Sequence, residues 1–210
     1  MVNAAVELVS AGLVSGSSGN VSLRLPGPQD LFAITPLGKP WSDLGIDDIV
    51  VADFDIEPVE GELAPSSETL LHVNAYKARP DIGAVIHTHS LYASVAAVAG
   101  LEIPPLIDEM VMAIGGPIRL SRYAFPGTQD LADNVLEALG DRNAALIRNH
   151  GAIGAGRDLR EALDVCSLIE RAAQIYVQAS LLGKVNVLPI EVIETQVELF
   201  RMQRKAEDTS

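Results

Sequence analysis

The run Gly83-Ala84-Val85-Ile86-His87-Thr88-His89 carries an apolar stretch into two histidines set one residue apart. It is short, apolar and bounded upstream by Arg79-Pro80-Asp81, which predicts a buried strand. Residues i and i+2 of a strand share a face, so two imidazoles stand side by side on a stiff element. A second apolar run, Ala144-Ala145-Leu146-Ile147-Arg148-Asn149-His150, closes on a third histidine just before Gly151. Three of the four histidines therefore end apolar strands. Singly, such a histidine is an ordinary hydrogen-bonded surface or core group. Together, three of them are the donor set of a catalytic zinc centre that keeps one position open.

Composition narrows the choices. A chain of 210 residues with 48% hydrophobic and 20% charged content is long enough for one domain with a full-sized core. A formal charge of −13 argues against non-specific nucleic-acid binding, which needs a basic footprint, and against an anionic membrane surface. No apolar run reaches the roughly 18–20 residues of a membrane span, and no basic segment precedes an apolar one at the N-terminus. The single Cys166 allows no intrachain disulfide and suits a reducing cytoplasm. Its apolar helical neighbours predict core packing.

Local pattern predicts helices over 2–11, 66–78, 91–99, 128–140, 158–182 and 190–204, and strands over 21–25, 31–34, 48–52, 118–122 and through the two histidine runs. Ser66 or Ser67 is expected to cap its helix, as is Thr128, and Asp158 with Glu161 resembles a capping box. The segment 26–28 reads as a turn, and Gly151, Gly154 and Gly156 as punctuation. The tail after Arg201 is polar and expected to fray. Strands and helices interleave, with several strands joined by short turns, so a mixed or antiparallel sheet covered by helices is expected. No Gly-x-Gly-x-x-Gly follows a strand, so a nucleotide-binding reading has no support.

Three segments could hold an anion. Ser66-Ser67-Glu68 sets hydroxyls and a carboxylate at a helix start, where free N–H groups and the helix dipole favour negative charge; plain capping is the other reading. Gly19-Asn20 and Thr35-Pro36-Leu37-Gly38 are either ordinary turns or, with the serines, a phosphate cradle of amides and hydroxyls.

In chain order, Ser17-Ser18-Gly19-Asn20-Val21-Ser22, Thr35-Pro36-Leu37-Gly38, Pro65-Ser66-Ser67-Glu68-Thr69, His87-Thr88-His89-Ser90 and Asn149-His150-Gly151 resemble the motif series of the class II aldolase/adducin family. The resemblance runs over about residues 12–182 and looks most like the L-fuculose-1-phosphate aldolase branch. It implies one three-layer α-β-α domain of the α/β class over residues 1–210, with a central, mainly antiparallel sheet flanked by helices. It implies zinc (Zn2+, with Mn2+ or Co2+ as other divalent choices) on His87, His89 and His150. Glu68 would be the catalytic acid/base, and Gly19, Asn20, Thr35, Gly38, Ser66 and Ser67 would bind substrate phosphate. The implied assembly is a cyclic homotetramer with active sites at subunit interfaces, and the implied location the cytoplasm.

The implied reaction is cleavage of a small ketose 1-phosphate to dihydroxyacetone phosphate and an aldehyde through a metal-stabilised enediolate. No Schiff-base lysine is needed, and Lys39, Lys77 and Lys184 stand in polar contexts. Glu68 favours aldol cleavage, since the family's ribulose-5-phosphate 4-epimerases carry Asp there. Related branches use the same triad for decarboxylation of a 3-oxo-tetronate 4-phosphate or dehydration of methylthioribulose 1-phosphate, and adducin-like scaffolds typically lose the ligands. One segment departs: Ile107-Asp108-Glu109-Met110 places Glu109 at about the position of a catalytic tyrosine. Asp108 and Glu109 are either a solvated or interface acidic pair or substrate-side groups, and Tyr123 either supplies a phenol or packs in the core.

Overall fold

The computed structural model describes residues 1–27 and 29–207, the side chains of 206 and 207 excepted. Pro28 of the expected turn and residues 208–210 of the expected tail lie outside them. Among the described residues, eight strands form one sheet: β1 (Asn20–Arg24), β2 (Leu31–Ile34), β3 (Val50–Asp53), β4 (Pro58–Glu60), β5 (Ala84–Thr88), β6 (Arg119–Leu120), β7 (Ala144–Ile147) and β8 (Gly151–Gly156). Their order is β4-β3-β2-β1-β5-β8-β7-β6. Every pairing is antiparallel except β6 with β7 at one edge. The helices are α1 (Val2–Ser10), α2 (Thr69–Ala78), α3 (Leu91–Ala99), α4 (Asp108–Ile114), α5 (Gln129–Leu139), α6 (Leu159–Leu181) and α7 (Ile190–Glu207).

Strand alternation sorts the apolar side chains into two faces. Val85, Ala145, Ile147, Ile153 and Ala155 join a core with Leu71, Val73 and Tyr76 of α2 and Leu131 and Val135 of α5. On the other face, Ala144, Leu146 and Ala152 pack on α3, α4 and α6, while Ala84 and Ile86 pack on α1 and Cys166 of α6. The expected three-layer mixed α/β architecture is the observed one. Cys166 is buried, as expected.

The elements differ from the sequence pattern in several places. Helix α2 starts at Thr69, with Glu68 rather than either serine at its N-cap. Ser66 closes a turn of its own before the helix: its hydroxyl accepts from the Glu68 N–H and its carbonyl accepts from the Thr69 hydroxyl. Strand β3 starts late because Ile46–Asp48 form one 3-10 turn, closed by Asp48 accepting from the Gly45 N–H. Strand β6 has two residues rather than five. Residues Asp108–Ile114 form a helix that the pattern did not suggest. Thr128 does cap α5. Asp158 caps α6, but Glu161 accepts from the Arg157 N–H, one residue short of a true capping box.

The glycines at 151, 154 and 156, expected as punctuation, belong to a central strand. Side chains are excluded there because α6 and β5 lie too close. A Cβ at 154 would meet Cys166 Sγ at 2.5 Å, and one at 156 would meet the Ala162 nitrogen at 2.5 Å. At 151 it would lie 2.1 Å from the Thr88 carbonyl oxygen.

Helix α7 runs past the expected fraying point because its far end is pinned. Phe200 is buried against Gly115, where a Cβ would lie 2.5 Å from the Phe200 ring. The Arg204 guanidinium lies over that ring and bonds Asp81 and Asn143. Asp81 also receives a two-pronged bond from Arg79. Burial opposes ionisation of Asp81, but the Arg79 and Arg204 guanidinium groups outweigh it and hold the carboxyl well below the usual carboxylate range.

Two expectations follow. Gly154→Ala destabilises by about 1–3 kcal/mol, the usual cost of overpacking. Adding Cys166→Ala to that variant recovers part of the loss, read from denaturant midpoints. A group with a depressed folded pKa stabilises above the unfolded pKa and loses that contribution as pH falls. Arg204→Met therefore lowers the melting temperature at pH 7, and its difference from wild type narrows below about pH 4. A constant difference down to pH 3 would assign the Arg204 contribution to its bond with Asn143 and its packing on Phe200 rather than to the Asp81 pair.

Candidate active site

Sheet register sets up the site. Pairing of β1 with β5 places Asn20 opposite His87. Pairing of β5 with β8 brings the Ala152 carbonyl to 3.0 Å from His87 Nδ1. A carbonyl only accepts, so Nδ1 carries the proton and the Nε2 lone pair faces inward. His89 lies one residue past the end of β5. His150 lies in the tight β7–β8 turn, where Asn149 adopts φ +57°, and Gly151 lets that turn press on the Thr88 backbone.

The two histidine runs converge. The ring centroids of His87, His89 and His150 are 4.7, 4.7 and 4.8 Å apart, at 70–74° to one another. One donor atom from each lies within 4.8 Å of the others, and the Nε2 atoms of His87 and His89 are 2.9 Å apart.

Glu68 completes the cluster from the start of α2. Its Oε2 lies 3.1 Å from His87 Nε2 and 3.1 Å from Asn20 Nδ2. Its Oε1 lies 3.6 Å from His150 Nε2. Burial opposes its ionisation, yet His87, His150 and the Asn20 amide outweigh burial and hold the carboxyl well below the usual range. For His87 the balance runs upward, because the Glu68 carboxylate outweighs burial. Burial together with the neighbouring imidazoles pushes His89 down to about 4 and lowers His150. The buried carboxylate thus supports one positive charge but not three.

A divalent cation fits that balance, because it can supply the charge while all three imidazoles stay neutral. Two buried atoms support the fit. Glu68 Oε1 and His150 Nδ1 have no hydrogen-bond partner among the described residues. Three imidazole nitrogens beside one carboxylate suit a borderline divalent metal.

The loops expected around phosphate are joined to this cluster. Pro36 and Pro65 form an isolated bridge, Leu37 N–H donates to the Ala64 carbonyl, and Ser66 N–H donates to the Thr35 carbonyl. The Thr35 hydroxyl accepts from the Val21 N–H. Gly19, at φ +79°, lies against the His87 carbonyl, which a Cβ would meet at 2.6 Å. Gly38 turns the chain at φ +70°, and Ser67 is exposed.

Asp108 and Glu109 lie elsewhere in the single chain. Asp108 accepts from Gln196 of α7 at 2.6 Å, and Glu109 pairs with Arg171 of α6 at 2.6 Å. Tyr123 is 60% exposed, so it does not pack in the core, and it lines a surface cleft with Phe125 and Thr128.

Sequence reading passed over the fourth histidine. His72 is fully buried, with Nε2 on Asn20 Oδ1 and Nδ1 2.6 Å from Ser22 Oγ. Ser22 Oγ is also 2.6 Å from the Tyr76 hydroxyl. Burial and the charge on His87 push His72 down to about 3, and burial raises Tyr76. The signal was present in the spacing: Glu68, His72 and Tyr76 repeat at i, i+4 and i+8 on a helix, and Asn20 and Ser22 at i, i+2 on a strand.

The model of the Class II Aldolase and Adducin N-terminal domain matches residues 1–177. The chain belongs to the class II aldolase and adducin family. It is 37% identical over 195 residues to a 5-deoxy-D-ribulose 1-phosphate aldolase of Bacillus thuringiensis serovar kurstaki, covering 92% of this chain and 90% of the relative. It is 35% identical over 201 residues to a 5-methylthioribulose-1-phosphate/5-deoxyribulose-1-phosphate aldolase of Rhodospirillum rubrum, covering 96% and 89%. A solved L-fuculose 1-phosphate aldolase superposes with a TM-score of 0.90 at 36% identity, covering 95% of this chain and 93% of that one. This class II aldolase is thus an enzyme of the metal-dependent lyase kind.

Removing one ligand tests the metal site. A divalent metal on the triad is expected to raise the melting temperature of the wild type by mass action. His89→Ala abolishes that rise and the stoichiometric metal content read by elemental analysis.

Proposed function

We propose that the protein is a zinc-dependent class II aldolase that cleaves a small ketose 1-phosphate to dihydroxyacetone phosphate and a short aldehyde. The observation that carries this reading is the buried Glu68 carboxylate, which reaches two imidazoles of the triad while the Thr35 and Ser66 loops meet beside it. The named substrates of the matched relatives share a ketose 1-phosphate and differ in the other half.

His87, His89 and His150 would hold the metal. When bound, it supplies Lewis acidity that offsets negative charge developing on the substrate oxygens, an effect worth several kcal/mol. Asn20, Thr35, Ser66, Ser67 and the N–H groups around Gly19 and Gly38 would hold the phosphate. Their role is to orient the C3–C4 bond over Glu68. As that bond breaks, the Glu68 carboxylate takes the proton of the C4 hydroxyl, the aldehyde leaves, and the same proton is returned to C3, a general acid–base step typically worth about 10²–10⁴-fold. Run backwards, the same carboxylate removes that proton.

Residues 1–210 are read as one such domain, assembled as a homotetramer with sites at subunit interfaces. The exposed Leu91, Val95 and Val98 on one face of α3 support that assembly. Among the described residues no helix is long and apolar enough to cross a membrane. We place the enzyme in the cytoplasm, and its bacterial metabolic relatives support that location.

The test is release of dihydroxyacetone phosphate from 5-deoxyribulose 1-phosphate and L-fuculose 1-phosphate by zinc-loaded protein. Release is expected to stop with a chelator and to fall by about 10²-fold or more in Glu68→Gln, with zinc content unchanged. Decarboxylation or dehydration in place of release would move the protein to another branch of the family.

A further inference from the structure

Behind Glu68, Asn20 leads to three polar side chains that the proposed reaction does not touch: His72, Ser22 and Tyr76. Asn20, Ser22 and His72 are buried, and Tyr76 is almost fully so. Each bonds the next, from Glu68 Oε2 to Asn20, His72, Ser22 and the Tyr76 hydroxyl. Buried polar groups in a packed core are not placed idly, since each must find a partner of the right sense.

The sense of every link follows from one end. Asn20 Nδ2 lies 3.1 Å from Glu68 Oε2, so Asn20 presents its NH2 to Glu68. Its Oδ1 then faces His72, so Nε2 of His72 carries the proton. In a neutral imidazole Nδ1 is then the acceptor, so Ser22 donates its hydroxyl proton to it. Ser22 Oγ is left to accept the Tyr76 proton, and Tyr76 is buried where it keeps that proton. All four bonds point the same way, toward Glu68.

We propose that Tyr76, Ser22 and His72 form a one-way donor chain that locks the Asn20 amide and thereby fixes Oε2 of Glu68, leaving Oε1 as the oxygen that exchanges the proton. Without His72 the amide could turn and present its own oxygen to the carboxylate. Oε1 is buried and has no hydrogen-bond partner among the described residues, whereas Oε2 accepts from the Asn20 amide. His72, Ser22 and Tyr76 are positioning residues, because they act through Asn20 and reach neither substrate nor metal ligands directly.

The kinetic half of the test rests on the aldolase reading; the spectroscopic half does not. Zinc-loaded protein labelled with 15N is compared with His72→Gln and His72→Leu. Gln can still donate to Asn20 from nearly the position of Nε2, and Leu cannot. The expected spectrum shows His72 as the neutral Nε2–H tautomer, assigned by its loss in both variants. The expected kinetics are a kcat reduced by about tenfold or more in His72→Leu and largely retained in His72→Gln. KM and zinc content should stay within about twofold of wild type in both.

An Nδ1–H tautomer or an imidazolium at His72 overturns the chain, even if no ketose phosphate is cleaved. So does wild-type kcat in His72→Leu, or loss of zinc from it. Equal loss of kcat in Gln and Leu variants with equally lowered melting temperatures would make His72 a packing residue and overturn the proposal. Failure of the wild type to cleave any ketose 1-phosphate, with the expected tautomer present, would instead overturn the aldolase reading.

Discussion

A buried carboxylate is costly unless positive charge and hydrogen-bond donors surround it. Glu68 sits at the start of α2 under the sheet, and the placement of its neighbours can be read as the answer to that cost. His87 arrives from β5, Asn20 from β1 directly opposite, and His150 from the β7–β8 turn. Three distant stretches of chain meet on one carboxyl group. One carboxylate cannot support three protonated imidazoles, which is why a cation held by neutral imidazoles suits the cluster.

That convergence requires backbone to approach backbone without side chains between. Gly19 lets the β1 entry lie on the His87 carbonyl, and Gly151 lets the β7–β8 turn lie on the Thr88 carbonyl. Both contacts press on β5 next to a triad histidine. A methyl group at either position would push the entering chain away from the metal cluster. Gly154 and Gly156 do the same work further along β8, seating α6 against the sheet. The glycines that looked like breaks are therefore close-approach positions.

This is also why part of the structure was legible and part was not. Strand alternation and the i, i+2 rule were enough to place His87 beside His89, because both act within one element. Ser66, Thr35 and Asn20 were legible as motifs, since small polar residues in loops carry a recognisable pattern. Strand β8 was not, because its glycines answer to Cys166 and Ala162 on α6, contacts that no local pattern contains. Helix α4 was missed for a related reason: besides its core contacts with α3 and α6, it is held by Phe200 and Gln196 of α7, more than eighty residues away. His72 was overlooked because helical periodicity was sought among apolar residues, whereas the Glu68, His72 and Tyr76 row is polar on the inward face.

The same logic separates the two halves of the proposed substrate. The half common to the relatives' named substrates would be served by groups rooted in the sheet and the start of α2, all tied to one another by backbone bonds. Among the described residues, the variable half has no comparable fixture in the single chain. Glu109, at about the position where the resembling branch has its tyrosine, is held by Arg171 on the outer side of α6, and Tyr123 stands exposed on a loop. Rigid groups for the conserved phosphate end and surface groups for the differing aldehyde end are what a shared scaffold needs to change substrate without disturbing its metal cluster. A chain with net charge −13 could accept an anionic substrate on these terms, because the cation and the converging N–H groups would reverse the field only where the phosphate lies.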